Sequence, residues 1–347
     1  MTDVTPVPIS VVPSRFRHMY AGGGRITSLR GEAGAADSEG RNPEEWVVST
    51  TTRWGTPPPG DRYAGLSQLA DGRLLIDAVS EDPDGWLGPA QDSLQGAGDI
   101  GMLVKLLDPE QRLPVHAHPS RAWARLHLQA PYGKTEAWYI VDTPPGGGQV
   151  HLGFTQPVTA GQLVEHARRG GGDLLSLSRP LTVAAGDVVV VPAGVPHAIG
   201  AGIFVVEVQE PTDQSLLLEW QGIISVPEEA ARLGVAWADV ADGIRLDPLT
   251  EAEISALLTH PAPVDGVAVD LFGAAAGFFR GSVVSASGSP VTIAAGVAGV
   301  VVLEGAGLLE WSSGGMPVAR GDVLVVPWAA GEWSLSGVDR AVVAQPD

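Results

Sequence analysis

The chain has 347 residues, 44% of them hydrophobic, which is enough for a globular core in one large or two medium domains. Its net charge of -19 opposes nucleic acid and anionic membranes as partners, because both polyanions would be repelled, yet leaves room for one small anion held by a local basic cluster. It has no cysteine, no basic-then-apolar N-terminal segment and no apolar run of spanning length, so disulfides and thiolate chemistry are excluded and a soluble cytoplasmic protein is expected. With Gly 45 and Pro 28 in a Val-rich background, the composition predicts many short strands joined by tight turns.

In chain order, Thr56 to Gly60 carries three consecutive prolines and predicts a stiff loop. Val115 to Pro119 predicts a strand on which His116 and His118, one residue apart, point to the same face. Pro119 then ends it. Gly133 to Tyr139 predicts a second strand on which Lys134 and Glu136 share a face. Arg168 to Asp173 reads as a surface turn, and Pro192 to Pro196 as a turn that delivers His197. Three imidazoles and one carboxylate, from His116, His118, Glu136 and His197, suit Zn²⁺ and also Fe²⁺, Mn²⁺, Co²⁺ or Ni²⁺, since ligand type alone does not select among these ions. His18, His127, His151, His166 and His260 lack comparable partners and are expected to be surface or structural residues. Trp46, Trp138 and Tyr139 serve either a sugar pocket or core packing. Helices are predicted over Pro227 to Leu233 and, with a Thr250 cap, over Thr250 to Leu258.

An internal repeat organises the chain. Leu181 to Pro192 is echoed by Met316 to Pro327, each with a Gly-Asp turn, a Val-rich strand and a terminal proline. Two related β units follow. Counting from the prolines, Ala329 stands where Gly194 stands and Glu332 where His197 stands, so the second unit is predicted to have lost its metal site. Each unit is similar to a cupin, a small antiparallel barrel whose inward residues hold a metal. The expected fold class is mainly β: a metal-binding unit over residues 1–225, a small helical connection over 226–262, and a degenerate cupin-like unit over 263–347.

Four blocks carry a more specific likeness: Gly101 to Asp108 leading into Leu113 to Pro119, Gly133 to Tyr139, Val191 to Gly200, and Val208 to Asp213. With Met19 to Arg25, Pro43 to Trp46 and the C-terminal unit, the chain resembles the type I mannose-6-phosphate isomerases, zinc-dependent cupins, as a divergent member. The resemblance implies an intramolecular oxidoreductase that interconverts an aldose and a ketose, acting on a small sugar or sugar phosphate. A proton would move between C1 and C2 through an enediolate stabilised by the divalent ion. Lys134, which shares a strand face with Glu136, is the leading catalytic and substrate-contacting group; Glu210, beside Asp213 and Leu217, is the candidate base with Asp213 the weaker alternative; Asp213 is also a candidate substrate contact, as is Arg121 or Arg125 for a phosphate.

Two departures stand out. His116 replaces the family's usual Gln, which preserves a ligand, and Leu217 stands where the family carries an Arg for catalysis and substrate binding. A leucine cannot make the bidentate contact that Arg makes with a phosphate or enediolate, so mannose 6-phosphate is in doubt as the substrate. A metal-containing cupin that binds a carbohydrate without turning it over is the alternative reading.

Overall fold

The computed structural model describes residues 5–32, 40–53, 64–89, 98–224 and 226–347. The expected loop from Thr56 to Gly60 lies outside the described residues. The strands run in order β1 (Ile9–Ser10), β2 (Glu44–Val48), β3 (Leu103–Leu107), β4 (His116–Ala117), β5 (Glu136–Asp142), β6 (Gly148–Phe154), β7 (Ser178–Val183), β8 (Val188–Val191), β9 (His197–Ile199), β10 (Phe204–Gln209) and β11 (Leu216–Leu217). After a helical stretch come β12 (Leu258–Thr259), β13 (Val267–Asp270), β14 (Phe279–Ser285), β15 (Val291–Ile293), β16 (Ala298–Trp311), β17 (Gly314–Ala319), β18 (Val323–Val326) and β19 (Trp333–Pro346).

The named strands pair antiparallel in three sheets. A six-stranded sheet has the order β12-β8-β5-β10-β3-β2 and a five-stranded sheet the order β11-β4-β9-β6-β7. The third, eight-stranded, follows β1-β18-β16-β19-β14-β13, with β15 on β19 and β17 on β16. The chain is therefore mainly β, but among the described residues no sheet closes on itself as the expected barrels would. β5 and β6 are separated by the turn at 143–147, and β7 and β8 belong to different sheets, so the strands from β2 to β12 form two sheets over a shared core. That core joins Trp138 and Val190 of the six-stranded sheet to Val150 and Leu152 of the five-stranded one and to Val301 and Val342 of the eight-stranded one. Burial from both sides explains why β8 reads as an unbroken Val-Val-Val-Val run instead of an alternating pattern.

The repeat seen in the sequence recurs in the turns and in the pairing. Gly186 and Gly321 share φ of +94°, and Asp187 and Asp322 each accept a hydrogen bond from the backbone N–H of the residue three before, Ala184 and Ala319, at 2.8 Å. β5 pairs with β8 as β16 pairs with β18, and β6 pairs with β7 as β16 pairs with β17. β9 on β4 and β6, and β10 on β3 and β5, are matched by the two halves of β19 on β15, β14 and β16. The edges are exchanged. β12, from the stretch between the units, covers β8, whereas β1, from the start of the chain, covers β18.

Register corrects one correspondence. Gly148 opposes Val183 and Leu152 opposes His197. In the second arrangement Gly307 opposes Val318 and Trp311 opposes Trp333. Trp333, not Glu332, thus holds the place of His197, because the short 3-10 turn Trp328–Ala330 adds one residue after Pro327. Glu332 is exposed.

The predicted helix at Pro227 is confined to Glu228–Ala231, and the one at Thr250 forms as Glu251–Leu257. In the latter, Thr250 and Glu253 close a reciprocal cap: the Thr hydroxyl accepts from the Glu253 N–H at 3.2 Å and the Glu carboxylate from the Thr250 N–H at 2.8 Å. The segment from Arg168 to Asp173 turns as expected, but Gly170 and Gly171 are buried instead of exposed. A Cβ on Gly171 would lie 2.0 Å from the Leu218 carbonyl, so the glycine is required by close backbone approach. No helix among the described residues is long and apolar enough to cross a membrane.

Candidate metal centre and adjoining cavity

The two-residue strand β4 and the turn ahead of β9 bring the histidines together. His116 and His197 are register partners, and the Gly194 N–H donates to the His118 carbonyl at 2.7 Å, tying the turn to the ligand strand. One ligand nitrogen from each of His116, His118 and His197 lies within 4.8 Å of the others. Each ring is oriented from behind: Nδ1 meets a backbone carbonyl, Pro114 at 2.8 Å, Gln214 at 3.0 Å and Val195 at 2.9 Å respectively. Such bonds place the proton on Nδ1 and leave the Nε2 lone pair for a metal. Glu136 lies against this group, with Oε2 3.0 Å from His118 Nε2 and Oε1 3.1 Å from His197 Nε2.

Protonation states agree with that use. Burial, reinforced by the neighbouring histidines, pushes His116 well below the usual imidazole range, and burial together with Lys134 pushes His118 down to about 3. Burial alone would raise Glu136, but Lys134, His118 and His197 outweigh it and hold the carboxyl well below its ordinary value. Neutral imidazoles beside an ionised carboxylate are what a divalent cation requires. The His197 Nε2 is buried without a hydrogen-bond partner, an orphan that a bound ion would satisfy. The donor set fits a divalent transition metal.

Lys134 sits within this group, its Nζ 2.5 Å from Glu136 Oε2 and 2.9 Å from His118 Nε2. Behind it runs a buried chain of charges: Glu207 lies 3.9 Å from Lys134 and 3.6 Å from Lys105, and Lys105 lies 3.8 Å from Glu44 and 4.5 Å from the centre of the Trp46 ring. Burial and the nearby Glu136 raise Glu207 to about 7 against the pull of the two lysines. The sequence reading missed Glu207. Its signal was a lone carboxylate inside the apolar run from Ile203 to Val208, which a buried strand tolerates only with partners.

A cavity of about 610 Å³ opens beside the cluster and is lined in part by His116, Asp213, Leu217, His18, Tyr20 and Glu44. Asp213 therefore faces the space beside the histidine cluster, and Leu217, paired in register with His116, does too. Arg121 and Glu210 are brought together elsewhere. The Arg121 Nε donates to Glu210 Oε2 at 2.5 Å with its guanidinium over Phe278, while Glu210 Oε1 accepts from the Thr135 N–H at 3.0 Å. This pair braces the segment between Lys134 and Glu136 and does not line the cavity. Gly133 lets the two backbones approach ahead of this pair, since a Cβ there would sit 2.5 Å from the Arg121 backbone nitrogen. Trp138 donates to Glu136 Oε1 at 3.1 Å from within the core, and Tyr139 is likewise buried. His18, expected to be surface or structural, instead borders the cavity.

No protein-family model matches the chain. The chain is 27% identical over 249 residues to mannose-6-phosphate isomerase ManA of Bacillus subtilis, covering 70% of this chain and 74% of that protein. It is 36% identical over 112 residues to the mannose-6-phosphate isomerase of Streptococcus mutans, about a third of either length at 32% and 34%. The crystal structure of the Bacillus subtilis mannose 6-phosphate isomerase superposes with a TM-score of 0.68 at 22% identity, over 98% of this chain and 100% of that one. A zinc-bound mannose 6-phosphate isomerase superposes with a TM-score of 0.74 at 16% identity, over 99% and 100%. The fold is the one these isomerases have, and the relatives in sequence together with the neighbours in structure support the mannose-6-phosphate isomerase family for this chain.

Proposed function

We propose that this protein is a metal-dependent aldose–ketose isomerase of the mannose-6-phosphate isomerase kind, built as two cupin-like units over residues 1–225 and 263–347 with a helical connector over 226–262. The observation that carries the reading is the convergence of three histidines, each oriented through Nδ1 by a backbone carbonyl, on the same small volume as Glu136, at the edge of a cavity of sugar size. His116, His118, Glu136 and His197 would hold the ion, read as Zn²⁺ because a zinc-bound neighbour shares the fold. When bound, the ion supplies Lewis-acid polarisation of a carbonyl and its neighbouring hydroxyl. Lys134 contacts substrate oxygens as negative charge develops on them, and Asp213 accepts a sugar hydroxyl at the cavity wall. Glu210 and Arg121, expected as base and substrate contact, act in this reading by holding the Lys134–Glu136 segment in place.

The cavity wall bears on the substrate. Leu217 offers no charge to a phosphate, and the carboxylates of Glu44, Asp213 and Glu229 line the same space against one guanidinium, Arg53, so mannose 6-phosphate is the poorer substrate and an uncharged aldose the better one. The same wall favours the second reading, a metal-containing cupin that binds a carbohydrate without converting it. The deciding experiment incubates metal-loaded protein with mannose 6-phosphate and with free aldoses in D₂O. Deuterium at C2 establishes the isomerase, and its absence with every sugar leaves the binding protein.

A further inference from the structure

The cavity beside the histidine cluster contains a fourth imidazole. His18 lines it together with His116, Tyr20, Glu44 and Asp213. Its Nδ1 lies 3.3 Å from Glu44 Oε1, and its Nε2 is buried with no hydrogen-bond partner. A ring nitrogen withheld from both water and protein is costly, and a substrate hydroxyl or a C–H made acidic by an adjacent carbonyl would give it a partner. The ring is also fixed in place. Phe16 and Tyr20 flank it at centroid distances of 4.8 and 5.4 Å, while Glu44 is held by the Tyr20 hydroxyl, by the Trp46 indole at 3.1 Å and by Lys105 at 3.8 Å. This is an imidazole backed by an oriented carboxylate, an arrangement that suits proton transfer.

We propose that His18 is the general acid/base of this cavity, with Glu44 as its positioning partner. The inference rests on the isomerase reading. His18 Nε2 takes the proton from C2 of the aldose; the C–H electron pair becomes the C1–C2 double bond and the C1 carbonyl pair moves onto O1. The O2 hydroxyl proton then passes to O1, and the imidazolium returns its proton to C1 as the C2 carbonyl forms. Atoms and electrons balance with no added oxidant or reductant. The surrounding charges agree with a neutral resting base. Burial, helped by Arg53 and Lys105, keeps His18 below the usual imidazole range despite Glu44 and Asp213, and Tyr20 is pushed up by burial and stays protonated. Against burial, Glu44 is held at about 2 by His18 when that ring is charged, and by Lys105 and the hydrogen bonds from Tyr20 and Trp46, which hold it down also beside a neutral His18, so it remains the ionised partner.

The test uses the metal-loaded full chain with mannose 6-phosphate and free mannose in D₂O. His18→Gln and His18→Ala are expected to keep the wild-type metal content while losing C2 exchange about a hundredfold to ten-thousandfold in kcat, with KM little changed. Added imidazole is expected to restore exchange to His18→Ala, a response that loss of a structural residue would not give. The wild-type profile is expected to fall on the acid side as His18 protonates, and the limb to vanish in His18→Gln. If both variants misfold, the heat of ionisation of the wild-type acid limb decides: an imidazole-like value supports His18 and a carboxylate-like value overturns it. A His18→Gln enzyme that exchanges at the wild-type rate with an unchanged profile overturns His18 and leaves the isomerase standing. A wild-type protein that exchanges neither sugar overturns the isomerase reading and the role of His18 with it.

Discussion

His197 and Trp333 occupy the same place in two strand arrangements that repeat pair for pair, yet one side chain faces three polar partners and the other an apolar core. In the first arrangement, His116 is the cross-strand partner of His197, and Glu136 starts the strand beside β8. In the second, Ile293 is the partner of Trp333, and Ala298 starts the equivalent strand beside β18. Both places are sealed from solvent. The backbone therefore offers the same enclosed position twice, and the side chains decide whether it becomes a charged cluster that needs an ion or a hydrophobic plug that needs none. Each place keeps a buried nitrogen without a hydrogen-bond partner, His197 Nε2 in the first and Trp333 Nε1 in the second, but only in the first do other ligand atoms converge so that an ion can compensate it.

The largest effect that would sharpen this contrast is on metal content. Purified protein is expected to carry about one divalent ion per chain, and His118→Ala or His197→Ala to weaken its binding by at least about a hundredfold, since a four-donor site loses a quarter of its ligands. Elemental analysis that finds an unchanged stoichiometry in both variants breaks the contrast, as does a metal bound within residues 263–347. Next in size, Trp333→Ala is expected to destabilise the fold by about 3–5 kcal/mol in urea melts through the cavity it leaves, with no change in metal content. Leu217→Arg is expected to raise kcat/KM for mannose 6-phosphate by about ten- to a hundredfold, the worth of one charge-assisted contact. Efficient wild-type turnover of the phosphosugar with no gain from the arginine would show that the apolar wall does not set the substrate.

A smaller effect separates the bracing pair from the chemistry. Glu210→Gln is expected to lower stability by about 1–3 kcal/mol and to loosen metal binding, because one of the two oxygens that accept from Arg121 and from the Thr135 N–H becomes an NH2 donor and the charge facing Arg121 is lost. A loss of kcat without any change in melting or in metal affinity would instead return Glu210 to the reacting centre. The smallest concerns acid. Glu44 is held at about 2, so its contribution is fully present above the unfolded carboxyl value of about 4.5 and is lost as pH falls from there toward 2. Between pH 5 and 3 the unfolding free energy from urea melts of the wild type is expected to fall more steeply than that of Glu44→Gln, by at most about 1.4 kcal/mol per pH unit.

The ligand cluster was legible because short-range rules suffice for it. Alternation puts His116 and His118 on one face, Pro119 ends their strand, and the Gly-Asp turn with its Val run repeats in both halves. Glu207 and His18 were harder to read. Neither has a motif neighbour, and each acquires its surroundings from strands or loops far away in sequence: Glu207 from Lys105 and Lys134, His18 from Glu44 and Asp213. Glu210 and Arg121 look like site residues by proximity to the motifs, but, 89 positions apart in the chain, they are brought together so that they satisfy each other. The match of Glu332 to His197 failed because counting along the chain cannot detect the one-residue turn insertion that strand register reveals.

The sequence by itself determined the strand-rich character, the repeat and the donor types, since these depend on side-chain period, turn chemistry and the few residues able to bind a metal. Only the tertiary structure decided which edge strands cover which sheet, which charged groups are partners, and which imidazole meets the cavity. Those outcomes depend on long-range packing and on the desolvation it imposes, and no local pattern of residues encodes where a buried charge will find its counterpart.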